Sequence, residues 1–205
     1  MIIFDLDGTL WDTREITLKS ANIVAAKYPD IKEITMIEVE GGMGYSFEET
    51  SEIYMPYLDK DRREKYFRKI IDTNIDLINK EGTKLYEGVK DTIINLSKDY
   101  KLGIVTNNND NYVKSFFKSS GLEEYFTDYM GAASYNLTKG EAIKKLVSKY
   151  NEKTNYYVGD IKQDMISSED AGVTFIHAKY GFDKELETKY FINDIRKLPE
   201  LMKNI

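Results

Sequence analysis

Cysteine is absent from this chain of 205 residues, and histidine occurs once, at His177. The first absence excludes disulfides, thiol nucleophiles and thiolate zinc centres. The second excludes two-histidine phosphoryl chemistry and metal centres built on several imidazoles. Acid–base work therefore falls to carboxylates, lysine or tyrosine. No run approaches the ~20 apolar residues of a membrane helix. No basic segment followed by a long apolar run opens the chain. Neither a membrane partner nor a signal peptide is expected, and the cytoplasm is the expected location. Positive charge is also short, with 29 Lys and Arg against 35 Asp and Glu, a net −6. Nucleic-acid binders usually carry a basic face, so nucleic acid is not an expected partner. A small anionic substrate remains compatible, because a metal ion and one lysine can reverse the local field.

The chain does have the composition of a soluble globular protein, with 41% apolar and 31% charged residues. Its length allows one domain, or a domain with a sizeable insertion. The first residues say most about chemistry. An apolar run ends at Phe4, and Asp5-Leu6-Asp7-Gly8-Thr9 follows at once. This reads as a buried strand ending in a tight loop with two carboxylates. Such a loop can hold a divalent cation and offer a nucleophile.

From about 15 to 82 the pattern is helical. Phe67, Ile70, Ile71, Ile75 and Ile78 recur at spacings of three and four, one apolar stripe on a helix. Pro56 should break or begin a helix, and Gly41-Gly42-Met43-Gly44 should be a flexible break between helical runs. After Gly88, strands and helices alternate. Strands are expected at 101–106, 129–133, 156–159 and 173–177, and helices at 91–98, 112–120, 141–150, 164–171 and 198–205. Alternation implies a parallel sheet covered on both faces. The expected fold is therefore α/β, with a Rossmann-like core at 1–14 and 85–205. The 15–84 stretch interrupts it as an inserted helical domain, with linkers near 11–16 and 80–87. His177, at a strand end, is expected to pack rather than to react.

In open α/β sheets, ligands bind beyond the carboxyl ends of the strands. Asp5 and Asp7 follow the first strand, Thr106 and Asn107 the second, and Asp160 and Asp164 the fourth. Lys139 lies near the start of the 141–150 helix. Three or more carboxylates, a hydroxyl and an ammonium would converge on one edge. That set can bind a metal and a phosphoryl group together.

The spaced set resembles the haloacid dehalogenase superfamily, specifically its phosphatases with a helical cap inserted after the first strand. D-x-D-x-T is residues 5–9, the strand-ending Thr is Thr106, the lysine is Lys139, and G-D-x-x-x-D is residues 159–164. Leu85-Tyr86-Glu87-Gly88-Val89 and Tyr180-Gly181-Phe182 look most like phosphoglycolate phosphatase relatives. One departure stands out: Gly140 follows Lys139 where many relatives have proline. The resemblance implies that Asp5 is the nucleophile that forms an aspartyl phosphate, and Asp7 the general acid and base. It implies Mg2+ held by the side chains of Asp5 and Asp160 and the backbone carbonyl of Asp7. Asp164 would act from behind those ligands. Thr106, the backbone of Asn107, and Lys139 would bind the phosphoryl group.

The expected activity is Mg2+-dependent hydrolysis of a small phosphorylated metabolite. A sugar phosphomutase of the beta-phosphoglucomutase kind is the alternative enzyme, although no basic cap motif for a second phosphate is evident. A non-catalytic phosphate-binding protein on the same fold is the alternative of another class. Gly44, Tyr45 and Ser46 lie in the loop expected to face the site and read the substrate. A monomer is expected, with a dimer the alternative.

Overall fold

The computed structural model describes residues 1–205. Its centre is β1 (Ile2–Phe4), every residue of which is fully buried. Apolar side chains on both faces suit a central parallel strand. On one side β1 pairs with β4 (Leu102–Thr106), which pairs with β5 (Asp128–Gly131). On the other it pairs with β6 (Tyr156–Gly159), followed by β7 (Thr174–Ala178) and β8 (Phe191–Ile192). The order is β5-β4-β1-β6-β7-β8, and all pairs are parallel. The chain runs outward from β1 in both directions, so the crevice at its carboxyl end is the switch point where ligands bind in such sheets.

Side-chain alternation sends β1 into two cores. Ile2 and Phe4 join a cluster of 24 buried residues that includes Val113 and Phe116 of α6 (Asp110–Ser120). Ile3 joins a cluster of nine on the opposite face, with Ile143 and Leu146 of α7 (Lys139–Val147). α5 (Val89–Leu96) and α9 (Leu198–Met202) cover the first face with α6, and α8 (Lys162–Ala171) packs beside α7.

Four helices lie between the first and second strands of the parallel sheet: α1 (Arg14–Ala25), α2 (Met36–Gly42), α3 (Phe47–Tyr54) and α4 (Lys60–Glu81). They bury a third cluster of 12 residues drawn only from this segment. Within α4, Phe67, Ile70 and Ile78 are buried and Ile71 and Ile75 half-buried along one stripe. Asp59 caps its start and Gly82, at φ 75°, ends it. Pro56 falls in the gap between α3 and α4. No helix is long and apolar enough to cross a membrane.

Two expectations need correction, and the linkers take a defined form. Gly41 and Gly42 close helix α2 rather than forming a break, and the chain leaves the helix at Met43. Tertiary contact overrides glycine's poor helix propensity here. A Cβ on Gly42 would stand 2.7 Å from Thr50 and 2.8 Å from Tyr54, so only glycine lets α2 approach α3 this closely. The two linkers meet in a short ribbon. Their segments β2 (Trp11–Asp12) and β3 (Lys84–Leu85) pair antiparallel, Trp11 with Leu85 and Asp12 with Lys84. The expected strand over 129–133 ends at Gly131, and Ala132–Tyr135 turns into a 3-10 helix.

Candidate active site

The carboxyl ends of β1, β4 and β6 deliver Asp5, Thr106 and Asp160 to one crevice, and the first turn of α7 adds Lys139 from below. Lys139 is buried, yet its Nζ stands 3.1 Å from Asp5 Oδ1 and 2.6 Å from Asp164 Oδ1. Thr138 and Glu141 form a capping box that fixes the start of α7 and hence the Lys139 stem. The Lys-Pro of many relatives is not needed to place this ammonium. Burial works to strip Lys139 of its proton, but the Asp164 and Asp5 carboxylates outweigh it and hold the ammonium above its ordinary range.

The acids outnumber that single cation. Ligand oxygens of Asp5, Asp160 and Asp164 lie within 4.8 Å of one another, all buried. Burial pushes Asp5 up to about 7, against the pull of Lys139. Burial, then the neighbouring Asp164 and Asp5 charges, drives Asp160 well above the usual carboxylate range. Hard oxygen donors with surplus negative charge are what a small dication needs, so this cluster could hold Mg2+. The three are not equivalent. Asp164 Oδ1 is engaged by Lys139, and its Oδ2 accepts from the backbone N–H of Asp160 at 3.0 Å and of Ile161 at 3.3 Å. Asp160 has no ion pair and accepts from Phe182 N–H at 2.8 Å and the Thr9 hydroxyl at 3.4 Å. Asp5 and Asp160 are thus the oxygens freer to ligate.

Asp7 faces a different set. Its Oδ1 accepts from the Thr13 and Tyr112 hydroxyls, the latter at 2.7 Å, and Asn108 Nδ2 stands 3.5 Å from Oδ2. Burial raises the Asp7 pKa, and the Thr13 and Tyr112 hydrogen bonds hold the rise down. Tyr112 escapes sequence reasoning because it sits on α6 among apolar residues and looks like core. Its fit to the first-turn register of a helix that follows Thr106 is the one signal that could have found it.

Asp5, Asp7, Thr106, Asn107 and Lys139 all line a cavity of about 290 Å3 between the sheet edge and the inserted helices. Gly44 and Tyr45 line it from the opposite wall, as expected of their loop. Ser46 is not in the lining. Its side chain caps α3 in a box with Glu49, which is where its hydroxyl is spent. The Asn107 side-chain amide donates to Gly44 O at 2.8 Å, tying the core to the loop above it. His177 is fully buried with Nε2 2.8 Å from Asp183 O and takes no part in the cavity.

Asp5, Asp7, Lys139 and an acid cluster that could hold a metal thus meet at the switch point of a parallel sheet, a set able to bind a metal and a phosphoryl group together. The chain belongs to the haloacid dehalogenase-like hydrolases, whose family model matches residues 2–178. Among its relatives, the phosphoglycolate phosphatase of Vibrio parahaemolyticus is 27% identical over 195 residues, 89% of this chain and 85% of that one. Pyrophosphatase PpaX of Listeria welshimeri is 27% identical over 175 residues, 83% of this chain and 78% of that one. The crystal structure of a predicted phosphoglycolate phosphatase from Haemophilus somnus superposes with TM-score 0.85 at 20% identity. It covers 98% of this chain and 97% of that one.

Proposed function

We propose that this enzyme hydrolyses a small phosphomonoester of the phosphoglycolate type through an aspartyl phosphate on Asp5, with Mg2+ as cofactor. The observation that carries the reading is the convergence of Asp5, Asp7, Thr106 and Lys139 on one cavity next to Asp160. Residues 1–14 and 85–205 are the catalytic core in this reading, and 15–84 is the cap.

An Asp5 carboxylate oxygen attacks phosphorus, and the bond to the leaving oxygen breaks. Asp7 gives that oxygen a proton. Water then attacks the phosphorus of the aspartyl phosphate, Asp7 takes a proton from it, and Asp5 is released. A carboxylate needs alignment rather than activation, and Lys139 supplies both alignment and charge. Thr106 and the Asn107 N–H donate to the phosphoryl oxygens as charge builds on them. Mg2+, held by Asp5, Asp160 and the Asp7 carbonyl with Asp164 fixing the loop behind, would offset the repulsion between carboxylate and phosphate. The cavity, about 290 Å3, is lined on one side by cap residues, which favours small substrates and limits water.

Phosphate release from phosphoglycolate, pyrophosphate and p-nitrophenyl phosphate, with Mg2+ and with chelator, tests this. Turnover should require Mg2+ and should vanish in Asp5→Asn, whose amide cannot form the acyl phosphate. Steady-state hydrolysis by pure Asp5→Asn would remove Asp5 as nucleophile.

A further inference from the structure

We infer that Arg68, on the cap, reads a second anionic group of the substrate, so that the preferred phosphomonoesters carry a carboxylate or a further phosphoryl group. This rests on the proposed phosphatase reading and adds to it a residue and a chemical class.

Two cationic side chains line the cavity, Lys139 and Arg68. Lys139 is committed to Asp5 and Asp164 at the deep end. Arg68 projects from α4 on the opposite wall. Its only ion pair is a 3.6 Å contact with Glu64, one turn back along the helix, and the side chain is 66% exposed. Such an exposed pair contributes little and leaves the charge available. The guanidinium is nonetheless not loose. Its Cζ stands 4.7 Å from the centroid of the Phe47 ring, which also lines the cavity and packs edge-on against Phe67 at 5.0 Å. A cation–π contact with a packed ring steadies the guanidinium, and Arg suits bidentate capture of carboxylate or phosphate. Asp72, one turn further along α4, lines the same cavity with opposite sign. It confines the favourable region to the Phe47–Arg68 corner, which fits one small anion and disfavours a broadly polyanionic ligand.

The geometry therefore has two anion-recognising ends. Thr106, Asn107 and Lys139 hold the transferred phosphoryl group, and Arg68 holds the group at the far end. A residue that binds the non-reacting end should change KM for substrates that have such an end and leave the rest untouched. Charge-assisted, bidentate hydrogen bonds of this kind support an effect on the order of 10- to 100-fold.

The test uses Arg68→Gln, which keeps a good helix former at an exposed position. In the parent with Mg2+, kcat/KM should favour phosphoglycolate and pyrophosphate over ethyl phosphate. Arg68→Gln should raise KM for phosphoglycolate and pyrophosphate, whose far ends are anionic, about 10- to 100-fold, and should change KM for p-nitrophenyl phosphate, which has no anionic far end, far less. Arg68→Lys should recover part of the loss. Comparing phosphoglycolate with pyrophosphate then tells whether the far group is carboxylate or phosphoryl. Calorimetric binding to Asp5→Asn with Mg2+ separates this proposal from the catalytic one. If that protein binds phosphoglycolate better than ethyl phosphate and Arg68→Gln removes the difference, the anion subsite stands even where turnover is absent. If the preference survives Arg68→Gln, or if the two ligands bind alike in the parent background, the subsite is refuted.

Discussion

Lys139→Met is the perturbation that most directly questions the electrostatics of the site. Methionine keeps an unbranched stem of similar length and a good helix propensity, so α7 should persist. What disappears is the one buried cation between Asp5 and Asp164, whose side chains are 3% and 0% exposed. Removing one partner from a buried ion pair costs about 3–5 kcal/mol, because the remaining charge is left desolvated. For a chain of this size about 1 kcal/mol corresponds to roughly 2–4 °C in Tm, so a fall of roughly 6–20 °C is expected. The pH dependence fixes the cause. Asp5 is already pushed up to about 7 by burial, against the pull of Lys139. A carboxyl whose folded pKa exceeds its unfolded value stabilises the fold below the unfolded pKa. That contribution is lost as pH rises through the folded pKa. Without Lys139 the Asp5 pKa rises further, so the variant should lose more stability than the parent between pH 6 and pH 8. Lys139 itself stays charged throughout this window. Urea unfolding in chelator at both pH values measures this, and added Mg2+ should restore part of the loss. A deficit below about 1 kcal/mol at pH 8, or a larger deficit at pH 6 than at pH 8, would refute an uncompensated acid cluster as the cause.

Asp160→Asn removes an anionic oxygen from the acid cluster, so half-saturation of activity should move to higher Mg2+ and activity should partly recover there; an unchanged Mg2+ titration would show that Asp160 is not a ligand. Tyr112→Phe keeps the ring against Trp11, 5.4 Å away, and loses the hydroxyl that donates to Asp7 at 2.7 Å. Stability should fall by only about 1 kcal/mol. Because that bond favours the ionised form, the Asp7 pKa should rise and the alkaline limb of the pH–rate profile should move to higher pH, most visibly with a poor leaving group. A limb that stays in place would assign Tyr112 to packing alone.

Local chemistry made much of the site legible, and contacts distant in sequence hid the rest. Asp5, Asp7, Thr106 and Asp160 stand at the ends of short apolar runs, where strand propensity and loop residues mark the chain one position at a time. Helix α4 was legible from its stripe. The β2–β3 ribbon was not, because two-residue strands have no period to read and exist only by pairing across the inserted helices. The helical state of Gly41 and Gly42 depends on Thr50 and Tyr54 across the α2–α3 contact. Tyr112 and Arg68 were hidden for opposite reasons. One resembles a core residue on the apolar face of α6, and the other resembles a solvated charge on α4. Their relation to the cavity arises only when the cap meets the sheet.

The segment after β7 follows the same logic and explains why Tyr180, Gly181 and Phe182 belong to the site although none carries its chemistry. The Tyr180 hydroxyl donates to Thr9 O at 2.8 Å, and Phe182 N–H donates to Asp160 Oδ2 at 2.8 Å. Between them Gly181 lies so close that a Cβ would stand 2.4 Å from Asp160 Cβ and 2.5 Å from Gly8 O. No other residue lets this loop reach the acid cluster without displacing it. The loops after β1, β6 and β7 are thereby tied to one another by hydrogen bonds that each join a side chain to a backbone group. Mutual repulsion among Asp5, Asp160 and Asp164 would drive the carboxylates apart if their loops were free. These hydrogen bonds hold them within reach of one cation. The loops therefore fix like charges close together, and Lys139, paired with Asp5 and Asp164, offsets only part of that charge.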